Sequence, residues 1–211
     1  MTGNVAGHLA LMLVTDDRLL AGRDLVAVCR EAVQGGVTCV QLRLKLTPPR
    51  ELVAIARALI GALRVPVLVN DRLDVALAAG AAGVHLGPDD LPVALARRMV
   101  PAGFWIGASV GNEGEVELGR GADYWGVGPW GKTSTKAEAG TPLGSEGFRA
   151  IQRLSKGIPC VAIGGIRPTD VTAVLDAGGV GVAVVSGILG AADVQRAVGG
   201  YWSLVTGHRS P

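Results

Sequence analysis

The sequence predicts a single-domain α/β fold, a (β/α)8 TIM barrel, and three observations carry that expectation. Short branched apolar runs alternate with longer stretches whose apolar residues recur at three-to-four spacing, and eight such pairs can be counted. Most runs are apolar throughout rather than alternating, as strands covered on both faces require. The length of 211 residues lies near the lower limit of this fold and suffices for one sizeable core. Composition agrees, because 49% hydrophobic and 18% charged residues with 32 glycines suit buried strands and many short turns rather than disorder.

Taken in order, the strand-like runs cover residues 9–15, 39–44, 65–69, 83–86, 105–110, 124–127, 160–163 and 181–185. A candidate helix follows each, beginning near Asp24, Pro48, Arg72, Leu91, Glu113, Ser145, Pro168 and Ala191. Several of these starts carry a proline in the first turn or an acidic or hydroxyl residue placed to cap it. The whole chain reads as one domain, with residues 1–7 and 206–211 as loose tails. The rival is an open doubly wound sheet, which usually shows an early glycine-rich fingerprint. Here the first run is followed by Asp16, Asp17 and Arg18 instead.

Parallel strands joined by helices place ligands at their carboxyl edge, so the residues closing each run are the candidates. The third run closes on Asn70 and Asp71, and the fourth is followed by Gly87, Pro88, Asp89 and Asp90. Asp71 and Asp90 thus reach one edge, as a metal pair, an acid–base pair or solvated rim charge. In the QLRLK run the alternation puts Gln41, Arg43 and Lys45 on one strand face, pointing into the barrel. Two such cations need anions, which favours a phosphorylated ligand over a solvated rim.

Two connections are longer than the fold needs, residues 43–47 and 128–144, and long loops at strand ends usually carry function. The second contains Lys132, Thr133, Ser134, Thr135 and Lys136 among glycines, a composition suited to an anion lid without the spacing of a P-loop. Gly164 and Gly165 follow the seventh run, and Val185, Ser186 and Gly187 close the eighth, where barrels commonly seat a phosphate on backbone N–H groups. Tight turns are the plainer reading of these glycines. As a phosphate cradle they would form a second anion site, and two anion sites imply two substrates.

Other classes receive little support. A formal net charge of +2 argues for neither nucleic acid nor a membrane surface. Cys29, Cys39 and Cys160 lack paired metal spacing, and the latter two lie in apolar runs, as small buried thiols do. No basic leader and no uninterrupted apolar segment of membrane-spanning length occurs, so the expected location is cytoplasmic. A homodimer is compatible with the sequence and not demanded by it.

The pieces QLRLK, NDR, HLGPDD, IGAS, TSTK, AIGGI and VVSGI, in this order across nearly the whole chain, resemble the thiamine-phosphate synthase family. The resemblance implies a (β/α)8 barrel that couples 4-amino-2-methyl-5-(diphosphooxymethyl)pyrimidine with a thiazole phosphate, releasing pyrophosphate with Mg2+ bound. It implies further that Asp71 and Asp90 hold the metal, and that Gln41, Arg43, Lys45, Asn70, Ser109 and Lys136 hold the pyrimidine diphosphate. Thr133, Ser134 and Thr135 would contact the thiazole, and Gly165, Val185 and Ser186 its phosphate. Arg43, Lys45, Ser109 and Lys136 would act on the leaving group. The family reaction passes through a pyrimidine-stabilised cation, which agrees with the lack of a nucleophile beside a base. His85 lies on the fourth run, as a satisfied structural residue or a ligand contact.

Two positions depart from the family pattern: Pro88 stands where relatives commonly carry a polar residue, and Gly111 where they often carry histidine. The latter bears on the alternatives, a thiazole tautomerase-like barrel that uses a histidine there, or a non-catalytic barrel binding thiazole phosphate. A phosphoribosyl-type isomerase would place an acid–base pair at opposed strand ends and would not require the TSTK segment.

Overall fold

A computed structural model of the chain describes residues 5–20, 22–133 and 140–209. In chain order these form α1 (Val5–His8), β1 (Leu11–Val14), α2 (Asp17–Leu20), α3 (Leu25–Gly35), β2 (Cys39–Leu42), α4 (Pro49–Ala62) and β3 (Val67–Asn70). Then follow α5 (Leu73–Ala79), β4 (Gly83–Leu86), α6 (Val93–Met99), β5 (Trp105–Val110), β6 (Tyr124–Val127) and α7 (Gly144–Leu154). The chain finishes with β7 (Cys160–Ile163), α8 (Val171–Asp176), β8 (Gly181–Val184), α9 (Ser186–Leu189) and α10 (Val194–Arg209). All neighbouring strands pair in parallel, and β1 closes on β8 through Met12 opposite Ala183.

Strand alternation sorts the core into two layers. Met12, Val14, Cys39, Leu68, Tyr124, Val161 and Ala183 fill the barrel, while Leu13, Val40, Val69, Val84, Ile106, Trp125 and Val182 pack outward beneath the helices. Both faces are therefore dry, which accounts for the unbroken apolar runs. The Cys39 and Cys29 thiols are pushed up to about 12 and Cys160 to about 11, burial being the largest cause in each, so all three stay protonated.

Helix starts largely follow the capping signals. The Asp24 carboxylate accepts from the N–H groups of Val26 and Ala27, and α4 begins with Pro49 at its first position. One expected helix is missing: the segment after β5 forms only a 3-10 turn, Glu113–Glu115. Gly111, Gly114, Gly119 and Gly121 each disfavour helix by about 1 kcal/mol relative to alanine, and Gly119 lies against the Trp125 indole, whose Nε1 donates to its carbonyl at 2.8 Å. Two single turns, α2 and α9, stand where no separate helix was expected. The expected tails are also partly helical, since α1 covers Val5–His8 and α10 continues to Arg209.

Candidate active site

Strand β2 ends at Leu42, shorter than the expected 39–44, and this separates the three residues of its polar face. Gln41 is buried inside the barrel, where its Nε2 lies 3.6 Å from the Met12 sulfur. Arg43 lies beyond the last ladder bond and turns towards the first loop, placing Nη1 at 3.0 Å from Asp16 Oδ2. Lys45 is half exposed, with Nζ at 3.4 Å from Asp71 Oδ2. Asp16 and Asp71 are the carboxylates that partly compensate these two cations. Asp16 and Asp17 were visible in the sequence only as what followed the first strand. Their partners, the Arg43 guanidinium, the Lys45 N–H and the Thr47 hydroxyl, are about thirty residues away.

Asp71 and Asp90 do converge. Asp71 sits just past β3 in the left-handed region, at φ 62°, and its N–H donates to the His85 carbonyl at 2.8 Å, extending the β3–β4 ladder by one bond. The short polar side chain of an aspartate tolerates that conformation better than most residues. Asp90 turns back so that its Oδ2 accepts from the Gly87 N–H at 2.6 Å. The two carboxyl groups meet: burial first, then the hydrogen bond and charge of Asp71, push the Asp90 pKa up, against the Gly87 N–H and the Lys45 charge. A surface cleft on this side is lined by Leu44, Lys45, Thr47, Asn70, Asp71 and Arg72.

On the same strand edge a second cleft is lined by Thr133, Gly164, Gly165, Ile166, Val185 and Ser186. Gly164 and Gly165 have φ of 89° and 68°, and a Cβ on Gly165 would stand 2.5 Å from the Lys132 carbonyl oxygen. Only glycine fits there. Val185 follows β8 and Ser186 begins the single turn α9, whose first N–H groups have no intrahelical acceptor. The 128–144 loop leaves beside this cleft on a fixed stem: Trp130 and Gly131 donate to Ile163 and Gly164, while Leu143 and Gly144 donate back to Pro129 and Trp130. Ser134, Thr135 and Lys136 lie outside the described residues.

Ser109 projects from β5 between the two clefts' strands, and its Oγ lies 3.0 Å from His85 Nε2. The other imidazole nitrogen lies 2.9 Å from the Tyr124 hydroxyl. Tyr124 escaped notice in the sequence because a tyrosine opening a strand reads as core, and nothing local shows that its hydroxyl reaches a histidine 39 positions away.

Residues 11–188 match the family described as thiamine monophosphate synthase. A thiamine-phosphate synthase of Azorhizobium caulinodans is 49% identical over 195 residues, covering 90% of this chain and 91% of that one. Another from Moorella thermoacetica is 44% identical, covering 89% and 91%. The solved thiamine phosphate pyrophosphorylase of Pyrococcus furiosus superposes with a TM-score of 0.87 at 38% identity, covering 98% of this chain and all, 100%, of that one. A 3-hexulose-6-phosphate synthase, at 18% identity and a TM-score of 0.69, shares the fold. With the barrel, the converging acids and these relatives together, the chain belongs to the thiamine-phosphate synthase family, and so to the transferases of thiamine biosynthesis.

Proposed function

We propose that this chain couples 4-amino-2-methyl-5-(diphosphooxymethyl)pyrimidine with a thiazole phosphate to form thiamine phosphate and pyrophosphate, using Mg2+ at Asp71 and Asp90. The observation that carries this reading is the meeting of those carboxyl groups under Lys45, on the edge that also holds the Gly164–Gly165 and Val185–Ser186 cradle.

The donor set suits the metal. Among the described residues no group of three or more carboxylate, histidine or cysteine ligands occurs. Two carboxylates suit an ion that keeps waters and completes its shell with substrate phosphate oxygens, as Mg2+ does and a caged Zn2+ does not. Burial raises the Asp90 pKa most and the neighbouring Asp71 carboxylate adds to it, a cost to the two charges that a bound dication would relieve. When bound, the ion neutralises charge on the diphosphate and makes it a better leaving group.

The chain's own residues supply the rest. Gln41, Arg43, Lys45, Asn70 and Ser109, with Lys136, hold the pyrimidine diphosphate. The C–O bond to the diphosphate breaks with its electron pair leaving on pyrophosphate. The thiazole nitrogen then donates its lone pair to the exposed carbon, forming the C–N bond. Charge grows on the departing oxygens, so preplaced cations act mainly in the transition state. Thr133, Ser134 and Thr135 contact the thiazole, and Gly165, Val185 and Ser186 bind its phosphate through backbone groups. No side-chain nucleophile takes part. A tautomerase reading lacks support, because Gly111 offers no side chain to move a proton. The proposed compartment is the cytoplasm.

The assay is direct: purified protein with both substrates and Mg2+ should release thiamine phosphate and pyrophosphate in equal amounts, and chelation should stop turnover. No product under those conditions would sink the proposal. Gly165→Ala tests the second cleft. Its left-handed backbone and the Lys132 carbonyl make a methyl group cost about 1–3 kcal/mol. KM for the thiazole phosphate should rise well above any change in KM for the pyrimidine diphosphate. Equal rises in both would place that phosphate elsewhere.

A further inference from the structure

Barrel interiors are normally filled by layers of branched apolar side chains. Beneath Ser109 this barrel instead buries a phenol and an imidazole. Tyr124 and His85 are almost inaccessible, yet the imidazole bridges the Tyr124 hydroxyl at 2.9 Å and the Ser109 hydroxyl at 3.0 Å. The Gln41 side chain lies on the other side of the Tyr124 hydroxyl and, as a hydrogen-bonding neighbour, works to lower its pKa. Two neighbouring inward positions are glycine, and both are needed. A Cβ on Gly126 would stand 2.9 Å from the His85 ring, and one on Gly107 would run into the Tyr124 ring. A leucine or valine layer would pack there without burying polar atoms that must each find a partner.

The order of donors along this chain can be deduced from its two ends. Burial, the largest cause, with Cys39 nearby, pushes the Tyr124 pKa well above the usual phenol value despite the Gln41 hydrogen bond. Its hydroxyl therefore stays neutral, with one proton to give. Gln41 points its amide nitrogen towards the same interior, where it meets the Met12 sulfur, and an amide N–H can also serve the Tyr124 oxygen. Tyr124 then donates to His85 Nδ1, which leaves the ring's proton on Nε2, donating to Ser109 Oγ. With its oxygen already accepting, Ser109 is left to donate. At the other end an ionised diphosphate presents only acceptors, so it requires that same direction.

We propose that His85 is a positioning residue, held by Tyr124 and Gln41 as the Nε2–H tautomer, which fixes the Ser109 hydroxyl as a donor to a phosphate oxygen of the pyrimidine diphosphate. This rests on the assignment of Ser109 to that substrate made above. Neither Tyr124 nor His85 touches the substrate. It sets the direction of one hydrogen bond before the substrate arrives, as preorganised donors to developing charge do.

A double-mutant cycle with Tyr124→Phe and Ser109→Ala tests it. Phenylalanine keeps the ring packing and removes only the hydroxyl. Tyr124→Phe should lower kcat about tenfold and Ser109→Ala about a hundredfold, with KM for the pyrimidine diphosphate nearly unchanged in Tyr124→Phe. The double variant should be no slower than Ser109→Ala alone, because Tyr124 acts only through Ser109. A further tenfold loss in the double variant, or an unchanged kcat in Tyr124→Phe, overturns the proposal, since a merely structural hydroxyl would act equally in both backgrounds. Two-bond proton–nitrogen NMR correlations of the His85 ring give an answer independent of turnover. Protonation at Nε2 alone is expected, and the Nδ1–H tautomer overturns the idea. An unaltered protein with no synthase activity would sink the proposed function, while the tautomer measurement would still decide this inference.

Discussion

Asp90→Asn is expected to reduce turnover about a thousandfold or more while leaving the protein no less stable, and in the absence of divalent cations more stable. The activity loss follows from halving the anionic donor set at the proposed metal and leaving-group site, a change on the scale of removing a metal ligand or more than one oxyanion donor. The stability change follows from burial of the Asp90 carboxylate and, after it, from its contact with Asp71. A raised carboxyl pKa means that the folded state binds the proton more tightly than the unfolded chain. The charged pair therefore costs stability above the folded pKa, and the cost disappears as pH falls through that value and into the ordinary carboxylate range. Asparagine keeps an oxygen for the Gly87 N–H and removes the charge. The melting temperature of Asp90→Asn should thus exceed that of the unaltered protein near neutral pH, with the gap closing in acid. Mg2+ should raise the melting temperature of the unaltered protein and have little effect on the variant. A variant that melts lower than the unaltered protein at neutral pH would mean that Asp90 is a structural acid and not a strained ligand.

Arg43→Met should damage both properties at once. Arg43 and Asp16 form a largely buried pair at 3.0 Å, their side chains 15% and 10% exposed. Removing one partner of a buried pair costs roughly 3–5 kcal/mol in the extreme. Asp16 keeps the N–H groups of Arg18 and Leu19 as donors, so about 2 kcal/mol is the expected loss in urea titration. Turnover should fall about a hundredfold as a cation leaves the diphosphate site. Adding Asp16→Asn should recover much of the stability and none of the turnover. Lys45→Met provides the contrast, since Lys45 is 53% exposed and its pair with Asp71 adds little to stability. A loss of stability in Lys45→Met equal to that in Arg43→Met would show that burial does not separate the two cations.

The strand edge was legible in the sequence wherever a residue's role depends on its own run. Asn70 and Asp71 close an apolar stretch, Asp90 follows the next, and Gly164, Gly165, Val185 and Ser186 close the last two. Their positions relative to the barrel follow from counting, because each run ends at the carboxyl edge of one parallel sheet. The helix expected after β5 failed for a local reason that could also have been read, four glycines within eleven residues. The partners of Arg43 and Lys45 could not be read from their own run, because Asp16 and Asp71 lie on other segments. Strand β2 stops at Leu42, so Arg43 and Lys45 meet those partners beyond the strand.

What the sequence determined by itself is the repeat of strand and helix, the dry faces of every strand and the set of polar groups delivered to one end. These are local properties, carried by hydrophobic period and by turn residues. Only the tertiary structure decided how the other polar groups meet: Arg43 with Asp16, and His85 between Tyr124 and Ser109. Those meetings depend on barrel closure and on the register that sets Asn70 opposite His85 and Gly107 opposite Tyr124. Register arises from packing the whole interior at once, so no single segment records it.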